Sequence, residues 1–252
     1  MIKIYYSETA KDAGLLAAEV IKNAVNANPE ATLGLATGSS PLEMYAALAD
    51  MYNKGEVSFK NVKSVNLDEY VGLTPDHDQS YAYFMRKNLF EKIDICLENT
   101  NVPSGIAEDP KAETARYDAL LDSIGGVDVQ VLGIGNNGHI GFNEPADTFS
   151  YGTMLVTLTE STIDANQRFF TSRDEVPKQA ISMGIGHIMT AKTIILLANG
   201  KGKAEILERS LFGEITPEVP ASILRFAKDV RVFADKEALS VIMEKHPEAL
   251  IK

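Results

Sequence analysis

Short apolar segments of strand length alternate along the chain with longer segments of helical pattern, and this alternation predicts repeated β–α units. The strand candidates, in chain order, are Met1–Tyr6, Thr32–Ala36, Val62–Leu67, Val127–Val131, Met154–Val156, Ala180–Met183, Thr193–Ala198 and Val230–Phe233. Strands that alternate with helices imply parallel pairing through crossover connections. The pattern therefore predicts an α/β fold: a single-domain, doubly wound, mainly parallel and Rossmann-like sheet with helices on both faces.

Helix-start signals add boundaries to this pattern. Ser7 is predicted to cap the first helix. Ser40 suits an N-cap, Pro41 the first helical position and Glu43 the acid of a capping box, so a strand–turn–helix unit is expected here. Another helix is predicted to begin near Ser80.

The composition is that of an ordinary globular protein that is long enough to bury a large core. The chain has 252 residues, is 45% hydrophobic and 23% charged, and carries a formal net charge of −11. This charge argues against nucleic acid or an anionic membrane as a partner, and no apolar run is long enough to span a bilayer. The single cysteine, Cys96, cannot form an internal disulfide, and no signal-peptide pattern is visible, which favours a cytoplasmic location. Without a repeat or a linker, one domain over residues 1–252 is expected.

Three loops follow predicted strands directly: Thr37–Pro41, Asp68–Tyr70 and Gly133–Pro145. In a parallel α/β sheet the carboxyl ends of the strands share one edge, so these loops are expected to line a common crevice. The first loop offers backbone N–H groups, hydroxyls and a helix start, which together suit a phosphate; the alternative is a plain capped helix. It lacks the lysine of a Walker-type loop and does not predict a nucleotide site.

The other two loops carry acid–base side chains. Asp68 could remove a proton from a carbon next to a carbonyl, although a solvated acid or a helix cap would leave the same sequence pattern. His139 lies among glycines, where burial in a core is difficult, and could move protons with Glu144 or Asn137 orienting its ring. Histidine, cysteine and carboxylates do not show the spacing of a metal site, so no metal is expected.

Two cations complete the candidate site. Arg168 precedes a pair of phenylalanines, and Lys203 follows a glycine-bearing turn after a clear strand. Either side chain could simply be exposed to solvent. Lys203 opens a helix after a strand end, which is the better position for binding a phosphate.

The sequences of these loops are similar to those of a known family. The segments Thr37–Pro41 (TGSSP), Asn66–Leu73 (NLDEYVGL) and Gly135–Pro145 (GNNGHIGFNEP) together resemble glucosamine-6-phosphate deaminases, and so do Arg168–Phe170 and the helix start at Lys203. The similarity covers nearly the whole chain. Any one motif would be moderate evidence, but three in order at matching separations are specific.

The resemblance implies an aldose–ketose isomerisation coupled to loss of ammonia, which converts glucosamine 6-phosphate into fructose 6-phosphate in amino-sugar breakdown. Asp68 matches the family's base, which moves a proton from C2 to C1 through an enolamine. His139, oriented by Glu144, matches the group that opens the sugar ring, and Asn137 belongs to the same catalytic set. Family members need neither a metal nor an organic cofactor.

The resemblance also assigns substrate binding. The residues that match the family's phosphate contacts are Thr37, Gly38, Ser39, Ser40, Arg168 and Lys203. The segment 157–176 resembles the family's mobile lid, which would shield the enolamine from water. The expected partner is therefore a small phosphorylated amino sugar, with neither nucleic acid nor membrane.

Two departures from the family pattern concern acid–base chemistry and regulation. Many members have an aspartate where this chain has Asn137, and an amide supplies no charge to the neighbouring imidazole. Hexameric, allosterically activated members carry basic residues after the position of Pro145, whereas Asp147–Val156 contains neither lysine nor arginine. We therefore expect no activation by N-acetylglucosamine 6-phosphate, and a monomer or small homo-oligomer rather than an allosteric hexamer.

Two other functions remain open. 6-Phosphogluconolactonases resemble this fold and share a Gly–His turn, but they hydrolyse an ester and need no base at C2. The runs Asp68–Tyr70 and Phe142–Pro145 favour the deaminase over that reaction. A sugar-phosphate sensor would bind without turnover and is usually joined to a DNA-binding module, and no basic helix–turn–helix region is visible in this sequence.

Overall fold

The computed structural model describes residues 1–158, 160, 163–164, 167 and 170–251. The strands are β1 Ile2–Ser7, β2 Thr32–Leu35, β3 Lys63–Asn66, β4 Asp68–Tyr70, β5 Thr100–Asn101, β6 Val129–Gly133, β7 Met154–Thr157, β8 Gln179–Ser182, β9 Thr193–Ala198, β10 Val230–Asp235 and β11 Leu250–Ile251. The helices are α1 Ala10–Ala27, α2 Leu42–Asn53, α3 Tyr81–Asn88, α4 Pro110–Ile124, α5 Ile185–Ile188, α6 Ala204–Phe212 and α7 Ser240–Lys245. Within these ranges, every helix is too short or too polar to cross a lipid bilayer.

In the described ranges the strands form a large parallel sheet and a small antiparallel one. The large sheet has eight strands in the order β11-β1-β10-β9-β6-β2-β3-β5, and its neighbouring strands are parallel. From β1 to β5 the chain steps toward one edge of this sheet, and from β6 onward it steps back toward the other. Because crossovers between parallel strands are right-handed, α1, α2 and α3 cover one face and α4, α6 and α7 cover the other. The predicted doubly wound, mainly parallel fold is confirmed.

The small sheet has the order β4-β8-β7 and is antiparallel. The chain passes from β3 through Leu67 into β4, so it leaves one sheet and joins the other at this corner. Leu67 bonds to both sides, because its N–H donates to Leu35 O at 3.1 Å and its carbonyl accepts from Met183 N–H at 2.7 Å. The strands predicted near Met154 and Ala180 exist, but they belong to this second sheet, which the sequence pattern did not predict.

Two buried tyrosines fix the carboxyl ends of neighbouring strands from opposite faces of the large sheet. The hydroxyl of Tyr45, on α2, donates to Ala36 O at 2.6 Å, just beyond β2. The hydroxyl of Tyr117, on α4, donates to Asn66 O at 2.7 Å, at the end of β3. Both side chains are fully buried, so each bond lies in the hydrophobic core and holds the edge from which the first two candidate loops emerge.

The first helix does not begin as the sequence pattern predicts. Strand β1 continues to Ser7, which pairs with Asp235 of β10. The cap is Thr9, whose side chain accepts from the N–H of Asp12, while the side chain of Asp12 accepts from the N–H of Thr9. The prediction for Ser7 is therefore wrong, because sheet pairing extends the strand through Ser7 and the N-cap is Thr9, two residues further along.

The second helix also begins later than predicted. It starts at Leu42 without a side-chain cap hydrogen bond, so the capping box expected from Ser40 and Glu43 does not form. The predicted start near Ser80 is confirmed, because its hydroxyl accepts from the N–H of Tyr83 at 3.0 Å. The hydroxyl of Ser40 is consequently not used in capping α2.

Candidate active site

A cavity of about 640 Å³ opens at the carboxyl edge of the large sheet, between the ends of β2 and β6. These neighbouring strands lie where the direction of the chain through the sheet reverses, which is where open α/β sheets bind ligands. The sequence candidates that line this cavity are Thr37, Gly38, Ser39, Ser40, Asp68, Asn137, His139, Glu144 and Lys203. The remaining candidate, Arg168, lies outside the described residues. The fold thus brings loops from distant parts of the chain to one site.

Asp68 lies at the start of β4, where the chain leaves the large sheet, and only 6% of the residue is exposed. Burial, followed by the nearby charge of Glu69, raises the pKa of Asp68 from 3.8 to about 8. A Cβ atom added to Gly141 would lie 3.7 Å from Oδ2 of Asp68, so the loop after β6 passes within van der Waals range of this carboxyl group. A carboxyl group whose pKa lies close to neutral pH is suited to accept a proton and return it.

The neighbouring Glu69 serves the fold. Its carboxylate accepts from the N–H groups of Tyr81 and Ala82, both at 2.9 Å, in the first turn of α3. A negative charge is stabilising at a helix N-terminus, where backbone N–H groups lack partners. Glu69 therefore ties α3 to β4, and Asp68 is the member of this pair that lines the cavity.

His139, Glu144 and Asn137 form a connected group on the loop after β6. Nδ1 of His139 lies 3.0 Å from Oε1 of Glu144, and Nδ2 of Asn137 donates to Oε2 of Glu144 at 2.6 Å. Burial raises the pKa of Glu144, but its contacts with His139 and Asn137 outweigh burial and hold that pKa below its usual value. The carboxylate thus engages the imidazole through Nδ1, which leaves Nε2 as the nitrogen for a ligand.

Gly135 leaves the space that the imidazole occupies. A Cβ atom added at Gly135 would lie 2.3 Å from Cε1 of His139 and 2.4 Å from each ring nitrogen. The turn closes through the N–H of Gly135, which donates to His139 O at 2.9 Å, and the N–H of Gly138, which donates to Gly135 O at 3.0 Å. Gly138 has φ of +90°, a conformation that glycine adopts readily. The glycines of this loop therefore place the ring flat against the backbone.

The loop after β2 contributes hydroxyl groups and backbone to the same cavity. Thr37, Ser39 and Ser40 line it, and Oγ of Ser40 would lie 3.4 Å from a Cβ atom on Gly133 at the end of β6. Since α2 has no side-chain cap, these hydroxyls are not committed to the helix start. The arrangement can therefore present several hydrogen-bond donors to an anion.

Lys203 adds a cation to the donors of that loop. Its ammonium group is half-buried, and burial lowers its pKa. In the part of the chain that the structure describes, Lys203 forms no ion pair, although buried charges in proteins are normally paired. A side chain of this kind suits an anionic ligand that supplies the missing partner.

Comparison with known proteins identifies the family of this chain. Residues 6–233 match the family described as glucosamine-6-phosphate isomerases/6-phosphogluconolactonase. The chain belongs to this family. The resemblance drawn from the loop sequences is therefore confirmed at the level of the family.

Several curated family members are similar over almost their full length. The chain is 51% identical over 245 residues to a glucosamine-6-phosphate deaminase of Thermoanaerobacter sp. (strain X514), covering 97% of this chain and 95% of that protein. It is 52% identical over 237 residues to a glucosamine-6-phosphate deaminase of Clostridium perfringens (strain SM101 / Type A), covering 94% and 96%.

Solved structures of the family agree as well. A monomeric glucosamine-6-phosphate deaminase superposes with a TM-score of 0.92 at 44% identity, covering 95% of this chain and 99% of that one. A 6-phosphogluconolactonase from Thermotoga maritima superposes with a TM-score of 0.74 at 18% identity, covering 94% and 100%. The second likeness shows the shared fold alone.

In this family member, an aromatic wall formed by Tyr70, Tyr81 and Phe142 also lines the cavity. The ring centroids of Tyr70 and Tyr81 are 4.7 Å apart, and Tyr81 and Phe142 stack at 6.3 Å with an interplanar angle of 10°. Burial raises the pKa of Tyr70 to about 12, so its hydroxyl stays protonated. Sequence reasoning missed this wall, because aromatic residues at a helix start or strand end have the pattern of core residues.

Proposed function

We propose that the protein is a glucosamine-6-phosphate deaminase, which converts glucosamine 6-phosphate and water into fructose 6-phosphate and ammonia in amino-sugar breakdown. The observation that carries the proposal is the buried carboxyl group of Asp68 in the same cavity as the paired His139 and Glu144. The 51% and 52% identical relatives that bear this name over nearly their whole length support it.

The first step is opening of the sugar ring, which we assign to His139. Glu144 engages Nδ1 of the imidazole, so Nε2 is the nitrogen that gives a proton to the ring oxygen and takes the proton of the C1 hydroxyl, which leaves the imidazole as it began. Asn137 steadies Glu144 from its other oxygen. Because Asn137 is neutral, the charge of this group comes from one carboxylate alone, which is the departure noted in the sequence.

The second step is proton transfer by Asp68. Its ionised carboxylate takes the proton from C2 of the open-chain amino sugar, and an enolamine forms as the C2 ammonium group gives up one proton to the C1 oxygen, which becomes a hydroxyl. Return of the proton to C1 gives an imine at C2. Water adds to that imine and ammonia leaves, which produces the ketose. These steps use side chains and water alone, so neither a metal nor an organic cofactor is needed.

The phosphate of the substrate is assigned to the loop after β2 and to the cations. Thr37, Gly38, Ser39 and Ser40 offer hydroxyl and N–H donors, and Lys203 offers an ammonium group without a carboxylate partner among the described residues. We retain Arg168 as a further phosphate ligand on the sequence resemblance. Binding energy from this remote group can hold C2 against the base, which raises the rate of the proton transfer.

We further propose that residues 1–252 form one catalytic domain with a lid at 157–176. Strands from both ends of the chain share the large sheet, which supports a single domain. From the lid segment, Leu158, Ile163 and Val176 pack with Tyr70 and Phe142 of the aromatic wall in a hydrophobic cluster separate from the main core. Closure of such a segment over the cavity would exclude water from the enolamine.

The quaternary structure, the cellular location and the regulation are also proposals. The similarity to a monomeric deaminase supports a monomer or small homo-oligomer rather than an allosteric hexamer. The single, free Cys96 supports a cytoplasmic location, because unpaired thiols are usual in reducing compartments. The partner is a small phosphorylated amino sugar, and the net charge of −11 disfavours nucleic acid and anionic membranes.

The decisive experiment measures ammonia and fructose 6-phosphate after adding glucosamine 6-phosphate to the purified protein. Both products should appear in equal amounts. Asp68→Asn should lower kcat by about 10²–10⁴-fold, because an amide cannot accept the C2 proton. Its affinity for fructose 6-phosphate should stay close to that of the wild type, since the phosphate contacts are intact.

The same assay separates the rival functions. A lactonase would hydrolyse 6-phosphogluconolactone and release no ammonia from glucosamine 6-phosphate. A sensor would bind the sugar phosphate without forming either product. Full ammonia release by the Asp68→Asn variant would contradict the assignment of the base even if the overall reaction is correct.

A further inference from the structure

Asp235 lies at the carboxyl end of β10, away from the cavity lining, and only 9% of the residue is exposed. Both of its carboxylate oxygens lie 3.0 Å from the N–H of Gly200, which donates to them. Oδ1 also accepts from the N–H of Ala238 at 2.8 Å. The carboxylate therefore clamps the turn after β9 from the neighbouring strand.

That turn leads within three residues to the cavity. Gly200 has φ of +82°, and its carbonyl accepts from the N–H of Lys203 at 3.0 Å. The single turn Lys201–Lys203 then runs directly into α6. A short series of backbone bonds thus connects the carboxylate on β10 to the residue whose side chain lines the cavity.

Lys203 depends on this anchor more than an ordinary surface lysine would. Its ammonium group is half-buried in the cavity wall, and across the described ranges no carboxylate pairs with it. The side chain itself is long and flexible, so its reach is set by where the backbone of the turn is held. The hydrogen bonds of Gly200, three residues before Lys203, hold the backbone from which this side chain extends.

We propose that Asp235 is a positioning residue for phosphate recognition, which holds the Gly200 turn so that Lys203 reaches the phosphate of the substrate. This inference rests on the proposed role of Lys203. Asp235 touches neither the substrate nor the reacting atoms, and it acts by accepting backbone hydrogen bonds. A purely structural role, through its bond to Ala238 ahead of α7, is the alternative that the experiment has to exclude.

The test is a double-mutant cycle with Asp235→Ala and Lys203→Met, measured as KM and kcat for glucosamine 6-phosphate and as the Kd of inorganic phosphate. We expect Asp235→Ala to raise KM and Kd roughly tenfold, a coupling that is usual for residues in one hydrogen-bond network, and to change kcat much less. In the Lys203→Met background the same substitution should add almost nothing. Asp235→Asn keeps an acceptor at Oδ1 and should lie between the wild type and Asp235→Ala.

Asp229→Asn serves as the matched control. Asp229 directly precedes β10 at its other end, where it binds Nε of Arg231 at 3.0 Å and the hydroxyl of Thr193 at 3.2 Å. The Asp229→Asn substitution should change thermal stability without changing the KM for glucosamine 6-phosphate or the Kd of inorganic phosphate. If the Asp235→Ala variant folds poorly, the same comparison between the wild-type and Lys203→Met backgrounds is made with Asp235→Asn.

The outcomes separate the role of Asp235 from that of Lys203. An equal rise of KM from Asp235→Ala or Asp235→Asn in both backgrounds, or a fall in kcat with unchanged KM, would overturn the positioning role. Unchanged phosphate binding in Lys203→Met alone would show instead that the proposed phosphate role of Lys203 is wrong. Phosphate binding is read without turnover, so a failure of the deaminase reaction itself would appear only in the ammonia assay.

Discussion

Replacing Asp68 should make the folded protein more stable at alkaline pH while it removes activity. Burial raises the pKa of this carboxyl group from 3.8 to about 8. At about 1.4 kcal/mol for each pKa unit, the ionised group destabilises the folded state by about 6 kcal/mol relative to the unfolded chain. That is comparable to the whole free energy of unfolding of many domains, about 5–15 kcal/mol.

The sign follows from proton binding. Below pH 3.8 the carboxyl group is protonated in the folded and the unfolded state, and it has no effect on stability. Between 3.8 and about 8 the folded state keeps a proton that the unfolded state has lost, so stability falls as the pH rises. Above about 8 both states are ionised and the loss is complete. Asp68→Asn removes this dependence, because the amide does not titrate.

Urea denaturation of the wild type and Asp68→Asn at several pH values measures the difference directly. The variant should gain about 4 kcal/mol over the wild type between about pH 5 and pH 9, with an unchanged m-value. Asp147→Asn removes an exposed carboxyl group from the same chain and serves as the control. A stability difference that is flat with pH, or that shrinks as the pH rises, would refute the reasoning about burial.

Four further outcomes can be checked by kinetics. The kcat/KM of the wild type should rise with pH up to about 8, the pKa of Asp68, because the base must be ionised to accept the C2 proton; a profile that falls over this range would contradict the assignment. Gly135→Ala should lower kcat/KM by about 10²-fold, because its Cβ displaces the ring of His139, and urea denaturation should show whether the variant remains folded. Glu144→Gln should lower kcat by roughly 10²-fold with little change in KM, since it leaves Nδ1 of the imidazole without a carboxylate; a rise in KM with unchanged kcat would contradict this role, and urea denaturation should show whether the variant remains folded. N-acetylglucosamine 6-phosphate should leave the rate curve hyperbolic and unshifted, because residues 147–156 offer it no cation; a sigmoidal curve that this compound makes hyperbolic would contradict the prediction.

The parts of the architecture that depend on local sequence patterns could be predicted. Strand-length apolar runs and helical segments alternate, and glycine-rich or hydroxyl-rich loops follow the strands, so the parallel sheet and its crevice could be inferred. The small antiparallel sheet could not, because β4 is three residues long and its partner β8 lies far along the chain. Pairing of that kind depends on tertiary contacts that no local pattern contains.

The same distinction applies to the site. Asp68 and His139 could be named as candidates because each lies in a loop that directly follows a predicted strand and matches a motif of the family. The raised pKa of Asp68 could not be predicted, since it comes from the residues that surround it in the fold. The sequence did not point to Asp235, because its carboxylate acts on a turn that follows the neighbouring strand. Tyr81 was missed because it has the pattern of a core aromatic residue.

The corner between the two sheets has a consequence for shortened versions of this enzyme. Ser182 of β8 pairs with Asp68 on one side and with Met154 of β7 on the other. The peptide that carries the carboxyl group therefore shares a ladder with the two strands that bracket the proposed lid. Deleting β7, β8 and the segment between them would remove the antiparallel backbone partners of Asp68, so a shortened homologue has to support this carboxylate by some other means.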